Sequence, residues 1–398
     1  MAFLLTIFKL SLAVYLAGVS WFILGLFRVP QNKSDEQPPV SVLVAVRGAG
    51  PWLLRLLQQL AGQDYPAKRL QIVVIDDGLE ADIRDQVDAL QRADGRFRTV
   101  SSAGGSTQLR GKNRALHAGI EESNGELLLF TDADCQVGPG WVSAMVAAFA
   151  AEVEYVVGWS QIVAAQPGGE ADGAHPWAIF ERVDFLMLML AARSAVRMGT
   201  PWASSGQNQA YRRALYDAAG GLEGLAGRLQ GDDSLFLQLV RRRVGARVAF
   251  AEGPEAAVTT EPSESPGHFL RQRVRWAADM LVMLRFNPWF FLLPVATFLT
   301  NGLLIIMVGL AFISADVVLP VLISGLLLKG LFEGLLLGLG AQQVGAGHLR
   351  RHFPSWFLLQ IPYITAMGLG SFWGHRLGWP KRSSDQPEAG GKQAAANG

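Results

Sequence analysis

Two aspartates two residues apart are the first candidates for chemistry in this chain of 398 residues. Asp132 and Asp134 directly follow an apolar run, so both carboxylates can approach one divalent cation. Mg²⁺ and Mn²⁺ prefer oxygen ligands, typically a few carboxylates that substrate phosphates complete. The pair therefore predicts a site for Mg²⁺ or Mn²⁺, although an Asp-x-Asp alone is also typical of an ordinary acidic turn.

Two further acidic pairs stand beside glycines. Asp76 and Asp77 end an apolar run, where a carboxylate can accept a hydrogen bond from a nucleotide base or ribose, or simply form an Asp-Gly turn. Asp232 and Asp233 precede an apolar helical stretch, residues 235–240. This second pair is either a helix cap, stabilised by the helix dipole, or a general base for a substrate hydroxyl.

Lys112 opens a helical pattern after a Gly/Ser-rich stretch, where free backbone amides also favour anions. It can therefore contact a phosphate. The stretch is not a P-loop, because Ser106 and Asn113 stand where that motif needs a glycine and a Ser or Thr.

The sequence QRVRW, residues 272–276, lies just before an apolar segment. A basic juxtamembrane helix is commonly an interfacial anchor. The functional alternative places Arg275 on a leaving diphosphate and stacks Trp276 on a sugar or acceptor.

The residues around these groups predict a mostly parallel α/β sheet. Apolar runs at 40–46, 72–75 and 127–130 predict strands, and residues 52–60 and 114–122 predict helices between them. Ligands of such sheets bind beyond the carboxyl ends of the strands, and two of the acidic clusters lie at such ends.

Half of the residues are hydrophobic, and they are concentrated at the two ends of the chain. Residues 3–27 are long enough to cross a bilayer core of roughly 30 Å, and too long for the apolar core of a cleaved signal peptide. Residues 289–313 and 317–339 are also long enough. Residues 353–372 are a weaker candidate, because Gln360 and Pro362 interrupt them.

Charges close to these segments predict their orientation. Arg350 and Arg351 place the loop at 342–352, and with it the α/β domain, on the cytoplasmic side of the inner membrane. Four membrane spans would place the basic tail that starts at residue 381 on the outer side of the membrane. The alternative that the last segment is re-entrant or interfacial therefore stays open. Lys329 and Glu333 share one face of an apolar segment and are either functional or a structural pair.

Composition excludes several classes of function. The net charge of +1 gives no field that attracts nucleic acid. A single cysteine, Cys135, excludes an internal disulfide and any zinc or iron–sulfur site built from several cysteines. The predicted domains are a membrane helix (1–28), a linker (29–39), an α/β catalytic domain (40–266), an interfacial helix (267–287), a membrane region (288–375) and a disordered tail (376–398).

Taken in order, these motifs resemble those of family 2 glycosyltransferases, which have a GT-A fold. The resemblance covers roughly residues 40–280 and includes IVVIDDG, RGKNRALHAGI, LLLFTDADC, SGQNQAYRRALYDAAGG, GDDSLFLQ and QRVRW. This is the D, DxD, D, QxxRW series shared by ceramide glucosyltransferases and processive polysaccharide synthases. The implied fold is an α/β, Rossmann-like GT-A domain with transmembrane helices at both ends.

The resemblance also implies roles for single residues. Asp77, with Asp76 beside it, would bind the uracil base or ribose, and Lys112 would contact the donor. Asp132 and Asp134 would hold the metal and diphosphate. Asp233 would be the base, with Asp232 where the family often has Glu, so either of the two could be the base. The QxxRW residues are Gln272, Arg275 and Trp276, whereas Arg47 departs from the family's usual donor-contact sequence.

Three functions follow as hypotheses. The first is an inverting membrane glycosyltransferase that moves a sugar from a UDP-sugar to a hydroxyl of a lipid acceptor. The second is a processive synthase that polymerises and exports a sugar chain. The third is a non-catalytic membrane partner. The sequence leaves the sugar, the acceptor and the oligomeric state open.

Overall fold

A computed structural model describes residues 1–29, 33–48, 51–150, 152–163, 175–228 and 231–374 of the chain. The predicted disordered tail, residues 376–398, lies outside these ranges, as do residues 30–32 of the predicted linker. The strands are β1 (Val40–Val46), β2 (Leu70–Asp76), β3 (Phe97–Ser101), β4 (Leu127–Phe130), β5 (Cys135–Val137), β6 (Tyr155–Val157), β7 (Ser160–Ile162), β8 (Gln209–Arg212), β9 (Val248–Phe250) and β10 (Val258–Thr260).

The helices alternate with these strands and then follow them. They are α1 (Ala2–Leu26), α2 (Pro51–Ala61), α3 (Ala81–Ala93), α4 (Gly111–Glu121), α5 (Trp141–Ala147), α6 (Pro176–Arg197), α7 (Arg213–Ala218), α8 (Ser234–Val244), α9 (Pro266–Phe286), α10 (Pro288–Ala311), α11 (Ala315–Gln343) and α12 (Phe353–Gly374). The strands predicted at 40–46 and 127–130 are confirmed at both ends. The helix predicted at 114–122 begins three residues earlier, which puts Lys112 in its first turn.

The main sheet of the described chain has seven strands in the order β3-β2-β1-β4-β8-β6-β9. Pairing is parallel throughout except on both sides of β8, which runs against its neighbours β4 and β6. The predicted mostly parallel α/β sheet is therefore confirmed. Every residue of β1 is buried, because helices cover both faces of the sheet and a continuous apolar run is needed there.

Helix α4 packs closely on this sheet through a glycine. A Cβ at Gly119 would lie 2.3 Å from Cδ1 of Ile75 on β2, so a larger residue would push the helix away. The close packing fixes the first turn of α4, and with it Lys112, relative to the strand ends. A smaller sheet, in the order β5-β10-β7, lies after the turn that carries Asp132 and Asp134.

Three of the described helices, α1, α10 and α11, are long and apolar enough to cross a membrane, as judged from length and composition. Helix α12 is 22 residues long, continues through Pro362, and packs on α9 and α10. These helices adjoin the sheet domain without an intervening gap, since a single apolar core joins Phe8 and Tyr15 of α1 to Ile75 and Phe130 of the sheet.

The carboxyl end of α1 is fixed to the sheet domain by hydrogen bonds. Arg197 Nη1 and Gln343 Nε2 both donate to the Leu26 carbonyl, at 3.1 and 3.3 Å. Carbonyls in the last turn of a helix lack partners within the helix, so these two side chains satisfy one of them. Helix α1 is therefore held in register with α6 and α11.

Candidate functional site

The turn after β4 presents two carboxylates on one side. Asp132 and Asp134 are partly exposed, whereas Ala133 and Cys135 between and after them are buried. The Cys135 amide donates to the Asp132 carbonyl at 3.1 Å, which closes a tight turn. Because partly exposed and buried residues alternate around this turn, both carboxylates point into the same space beyond the sheet edge.

Lys112 links this turn to the second acidic pair. Its Nζ lies 2.8 Å from Asp132 Oδ1 and 3.1 Å from Asp232 Oδ2. Burial alone lowers the pKa of Lys112, but the carboxylates of Asp132 and Asp232 outweigh this effect and raise its pKa above the ordinary value. Lys112 is therefore a permanent cation between the two acidic groups.

Asp233 is both a helix cap and a titratable group at the site. It occupies the N-cap of α8, where its carboxylate accepts a hydrogen bond of 2.6 Å from the Ser234 amide. Burial, followed by the neighbouring charge of Asp232, raises the pKa of Asp233 to about 7, and Lys112 opposes part of this rise. A carboxylate with a pKa near neutrality is suited to accept a proton from a hydroxyl.

The loop before β8 holds Asp232 and Asp233 in place. Ser234 Oγ donates to the Ser204 carbonyl at 3.0 Å and accepts from the Ser204 amide at 3.0 Å. Gln209 Nε2 donates to the Asp232 carbonyl at 3.0 Å. These bonds tie the start of α8 to β8, the one antiparallel strand of the main sheet as described.

Gly206 of this loop borders the acidic site. A Cβ there would lie 3.0 Å from Lys112 Nζ, 3.4 Å from Asp232 Oδ2 and 3.5 Å from Asp233 Oδ2. The glycine thus leaves the three charged groups open to a ligand, because a side chain at this position would cover them.

A cavity of about 770 Å³ extends from the acidic site to the apolar helices α1, α10 and α12. Its polar end is lined by residues that the sequence predicts for the site, namely Arg47, Lys112, Asp132, Asp134, Asp232, Asp233, Gln272, Arg275 and Trp276. Its other end is lined mainly by apolar side chains of α1, α10 and α12, including Val19, Phe22, Leu293, Phe298, Ile364 and Met367. The charged residues and a large apolar volume therefore belong to one cavity.

The QRVRW sequence lies in α9, along the wall of this cavity. Burial lowers the pKa of Arg275, and the carboxylates of Asp279, Asp132, Asp233 and Asp232 partly offset that effect. Arg275 therefore faces the acidic site, although its buried Nε has no hydrogen-bond partner among the described residues. A guanidinium in this position can bind an incoming phosphate oxygen.

Asp76 ends β2 and Asp77 follows it; neither is among the described residues that line the cavity, and the two differ in their contacts. Asp76 accepts hydrogen bonds from the Gly78 and Leu79 amides, and Arg84 pairs with it at 2.6 Å. Asp77 accepts a bond of 2.6 Å from Ser102 Oγ and lies 3.9 Å from Nε of Arg47, which lines the cavity. Asp76 thus shapes the turn, whereas Asp77 adjoins the cavity wall.

Trp159, Trp177 and Trp202 differ in their position relative to the cavity. Trp202 lines the cavity, between Phe22 of α1 and Phe290 of α10. Trp159 is buried, and Trp177 stacks on His175 outside the cavity lining. Only Trp202 among these three therefore contacts the cavity in the described structure.

The buried charges of α11 form a hydrogen-bonded cluster. Lys329 Nζ lies 2.8 Å from Glu333 Oε1, and Gln360 of α12 donates to both Glu333 oxygens at 2.9 and 3.0 Å. Tyr15 of α1 donates to Glu333 as well. Because the carboxylate is fully paired, the geometry favours the structural alternative, a bond between α1, α11 and α12.

Several residues of the site have no role that was predicted from the sequence. Gly206 lies within the quoted sequence SGQNQAYRRALYDAAGG, so the signal was present. Arg273 occupies a variable position of QRVRW, yet it lines the cavity. Asp184 also lines the cavity, but it lies inside the apolar helix α6, where nothing in the local pattern distinguishes it.

The carboxylate oxygens of this site suit a hard divalent cation whose remaining ligands come from a substrate. Among the described residues no group of three or more His, Cys, Asp or Glu side chains forms a metal site. Asp132 and Asp134 supply carboxylate oxygens, and Lys112 already engages one oxygen of Asp132. Mg²⁺ and Mn²⁺ are commonly bound by one or two carboxylates together with phosphates, so the residues fit such an ion.

Comparison with known proteins agrees with this arrangement. A model of glycosyl transferase family 2 matches residues 41–219. An N-acetylglucosaminyltransferase from Bradyrhizobium elkanii is 31% identical over 134 residues, which are 31% of this chain and 71% of that protein. The chain belongs to glycosyl transferase family 2. The family expected from the motifs is therefore confirmed.

Two further proteins extend the comparison to most of the chain. An N-acetylglucosaminyltransferase from Mesorhizobium japonicum is 28% identical over 266 residues, and this chain spans 58% of its length. A solved structure, the mannosyltransferase PcManGT from Pyrobaculum calidifontis in complex with GDP-Man and Mn²⁺, shares the fold with a TM-score of 0.56 at 18% identity. The similarity covers 93% of this chain and 99% of that one, so the expected GT-A fold is also confirmed.

Proposed function

We propose that this family 2 enzyme is an inverting glycosyltransferase that moves a sugar from a UDP-sugar to a hydroxyl of a lipid, at the cytoplasmic face of the inner membrane. The observation that carries the proposal is the shared cavity. Four carboxylates and Lys112 line its polar end, and apolar side chains of α1, α10 and α12 line much of the rest. A lipid can lie in the apolar part with its hydroxyl at the polar end.

In this proposal the donor binds at the edge of the main sheet. Asp77 accepts a hydrogen bond from the uracil base or ribose, and Arg47 lies between Asp77 and the cavity. Asp132 and Asp134 hold Mg²⁺ or Mn²⁺, and the bound ion would compensate the charge of the diphosphate. Lys112 and Arg275 add two protein cations on the same side.

Transfer is a single displacement. Asp233 accepts the proton of the acceptor hydroxyl, whose oxygen attacks the anomeric carbon from the face opposite UDP. The bond between that carbon and the diphosphate oxygen breaks, so the anomeric configuration inverts. Gln272 and Trp276 line the cavity near this centre, and Trp276 can stack on the sugar or acceptor.

The names of the curated relatives make UDP-N-acetylglucosamine the first donor to test. Purified protein in lipid nanodiscs is incubated with labelled UDP-GlcNAc, UDP-glucose, UDP-galactose and GDP-mannose, each with Mn²⁺, and the lipid extract is analysed by mass spectrometry. We expect one sugar on an extractable lipid. A long water-soluble polymer would instead support the processive synthase, and UDP binding without any turnover would support a non-catalytic partner.

A further inference from the structure

A second polar site lies in the same cavity, away from the four carboxylates. Arg273 of α9 and Asp184 of α6 both line the cavity and are 3% and 6% exposed. Nη2 of Arg273 lies 3.4 Å from Asp184 Oδ2. This pair has no part in the donor chemistry described above, which uses other side chains of the cavity.

The guanidinium of Arg273 has unused hydrogen-bonding capacity. None of its three nitrogens makes a hydrogen bond within the described part of the chain, although the side chain is almost fully buried. Buried donors without acceptors are unfavourable, and native proteins rarely leave them so unless a water or ligand supplies the acceptor. The guanidinium therefore points to a ligand that brings acceptor oxygens into the cavity.

Aromatic rings enclose this guanidinium. Its Cζ lies 4.3 Å from the Trp276 ring centroid, 5.1 Å from that of Phe269 and 5.8 Å from that of Phe185. Tyr363 of α12 places its hydroxyl 3.4 Å from Asp184 Oδ2. The site thus combines donors, an acceptor carboxylate and flat apolar surfaces, which together suit the hydroxyls and C–H faces of a polyol.

Charge decides against an anionic ligand. Arg273 and Asp184 compensate each other, and Glu181, one turn before Asp184 on α6, adds a further buried carboxylate that Ser263 binds. A phosphate entering here would lie against the Asp184 carboxylate, which already compensates the guanidinium, with the charge of Glu181 behind the cavity wall. A neutral group with several hydroxyls can accept hydrogen bonds from Arg273 and donate one to Asp184 without repulsion from the carboxylates.

The position of the pair relates it to the acceptor. Arg273 and Arg275 are two residues apart on α9, so their side chains leave the helix in different directions, yet both line the same cavity. Arg275 faces the carboxylates of Asp132 and Asp233, and Trp276 touches both Arg273 and the cavity. A head group at Arg273 therefore lies in the same cavity as the reaction centre, beside Trp276.

We infer that Arg273 and Asp184 bind the head group of a lipid acceptor whose head is a neutral polyol, such as a hexosyl or glycerol group, rather than a phosphate. This inference rests on the proposed function for the lipid acceptor. It assigns Arg273 and Asp184 as residues that determine acceptor specificity, and it makes the enzyme one that extends a hydroxyl-rich lipid head.

The test compares three acceptors in nanodiscs with UDP-N-acetylglucosamine and, as alternatives, the other UDP-sugars. The acceptors are monohexosyl diacylglycerol, diacylglycerol and phosphatidic acid. We expect the highest kcat/KM with the monohexosyl lipid. Arg273→Gln and Asp184→Asn should each raise the KM for that lipid about tenfold or more, the worth of a hydrogen bond to a charged group, with hydrolysis of the UDP-sugar in the absence of acceptor unchanged.

The matched control is Arg193→Gln, which breaks another buried pair of α6, with Glu252, outside the cavity lining. Its acceptor KM should equal that of the wild type. If thermal unfolding shows that Arg273→Gln does not fold, Arg273→Lys replaces it in the measurement of the acceptor KM. A preference for phosphatidic acid would overturn the inference, and so would a loss of kcat and donor hydrolysis with an unchanged KM.

Direct binding separates this inference from the proposed function. Radiolabelled monohexosyl diacylglycerol is titrated onto the wild type and Arg273→Gln without donor. Binding that depends on Arg273 but leads to transfer with none of the UDP-sugars would contradict the proposed function and support the head-group site. Transfer to a lipid with equal binding by both proteins would support the proposed function and contradict the site.

Discussion

Lys112 Nζ lies 2.8 Å from Asp132 Oδ1, and this contact joins the turn after β4 to the acidic pair before α8. The same ammonium lies 3.1 Å from Asp232 Oδ2. Two carboxylates from separate parts of the chain are thus compensated by one cation, which keeps them close together without mutual repulsion.

Replacement of Lys112 by Met should therefore reduce kcat/KM for the donor by about 10²- to 10³-fold, the usual effect of removing one charged stabiliser of a transition state. The physical reason is the loss of a cation from both the acidic cluster and the diphosphate. Steady-state kinetics with UDP-sugar and Mn²⁺ measure it. Lys9→Met, a change at an exposed lysine of α1, is the control, and equal loss in both variants would refute the assignment.

Asp233→Asn should lower kcat by about 10²- to 10⁴-fold while the affinity for UDP stays within a few-fold of the wild type, because the amide cannot accept the proton. Isothermal titration with UDP and a transfer assay separate the two effects. Asp232→Asn is the comparison variant. A greater loss of kcat in Asp232→Asn than in Asp233→Asn would reverse the roles of the two residues.

The pH dependence follows from the raised pKa of Asp233, about 7. A base acts in its deprotonated form, so kcat should increase with pH through about 7 and then level off. Burial and Asp232 raise this pKa, so Asp232→Asn should move the rise in kcat to lower pH. A profile that is flat from pH 5 to pH 8 would show that this carboxylate is not the base.

Gly206→Ala should impair transfer without loss of stability. The added Cβ would lie 3.0 Å from Lys112 Nζ and between 3.4 and 3.5 Å from the aspartate oxygens. We expect a decrease of kcat/KM of about tenfold or more, since a small displacement of reacting groups is costly. Gly138→Ala is the matched control, because a Cβ there meets nothing within 4 Å. Equal activity of both variants would mean that the space at Gly206 is not used.

Asp134→Asn should weaken the binding of UDP in the presence of Mn²⁺ much more than in its absence. Asp134 would be one of two protein ligands, and ligand carboxylates contribute most of the attraction for a hard cation. Titration of UDP with and without Mn²⁺ measures the difference. If chelation leaves turnover of the wild type intact, the enzyme does not need the cation.

Glu333→Leu should lower the free energy of unfolding by about 3–5 kcal/mol, because it leaves Lys329 as a buried and uncompensated charge. The double variant Lys329→Leu with Glu333→Leu should lose less, since both charges are removed together. Thermal unfolding in detergent compares the two. A greater loss in the double variant would contradict the interpretation of this pair as a structural contact.

The sequence by itself determined the family, the main strands and the apolar segments. These features are local: a continuous apolar run such as residues 40–46 specifies a buried strand, and an uninterrupted stretch such as residues 3–27 specifies a long helix. The positions of Asp132 and Lys112 followed as well, because each stands directly after a strand or at the start of a helix.

Only the tertiary structure decided which side chains share a cavity. Strand β8 runs antiparallel to its neighbours, and the loop before it places Gly206 beside Asp232 and Asp233. Gly206 also lies close to Lys112, which stands about 90 residues earlier in the chain. Asp184 meets Arg273 through the packing of α6 on α9, which the apolar pattern of α6 does not encode. Long-range packing sets such contacts, whereas the periodicity of a sequence reports only the neighbours along one element.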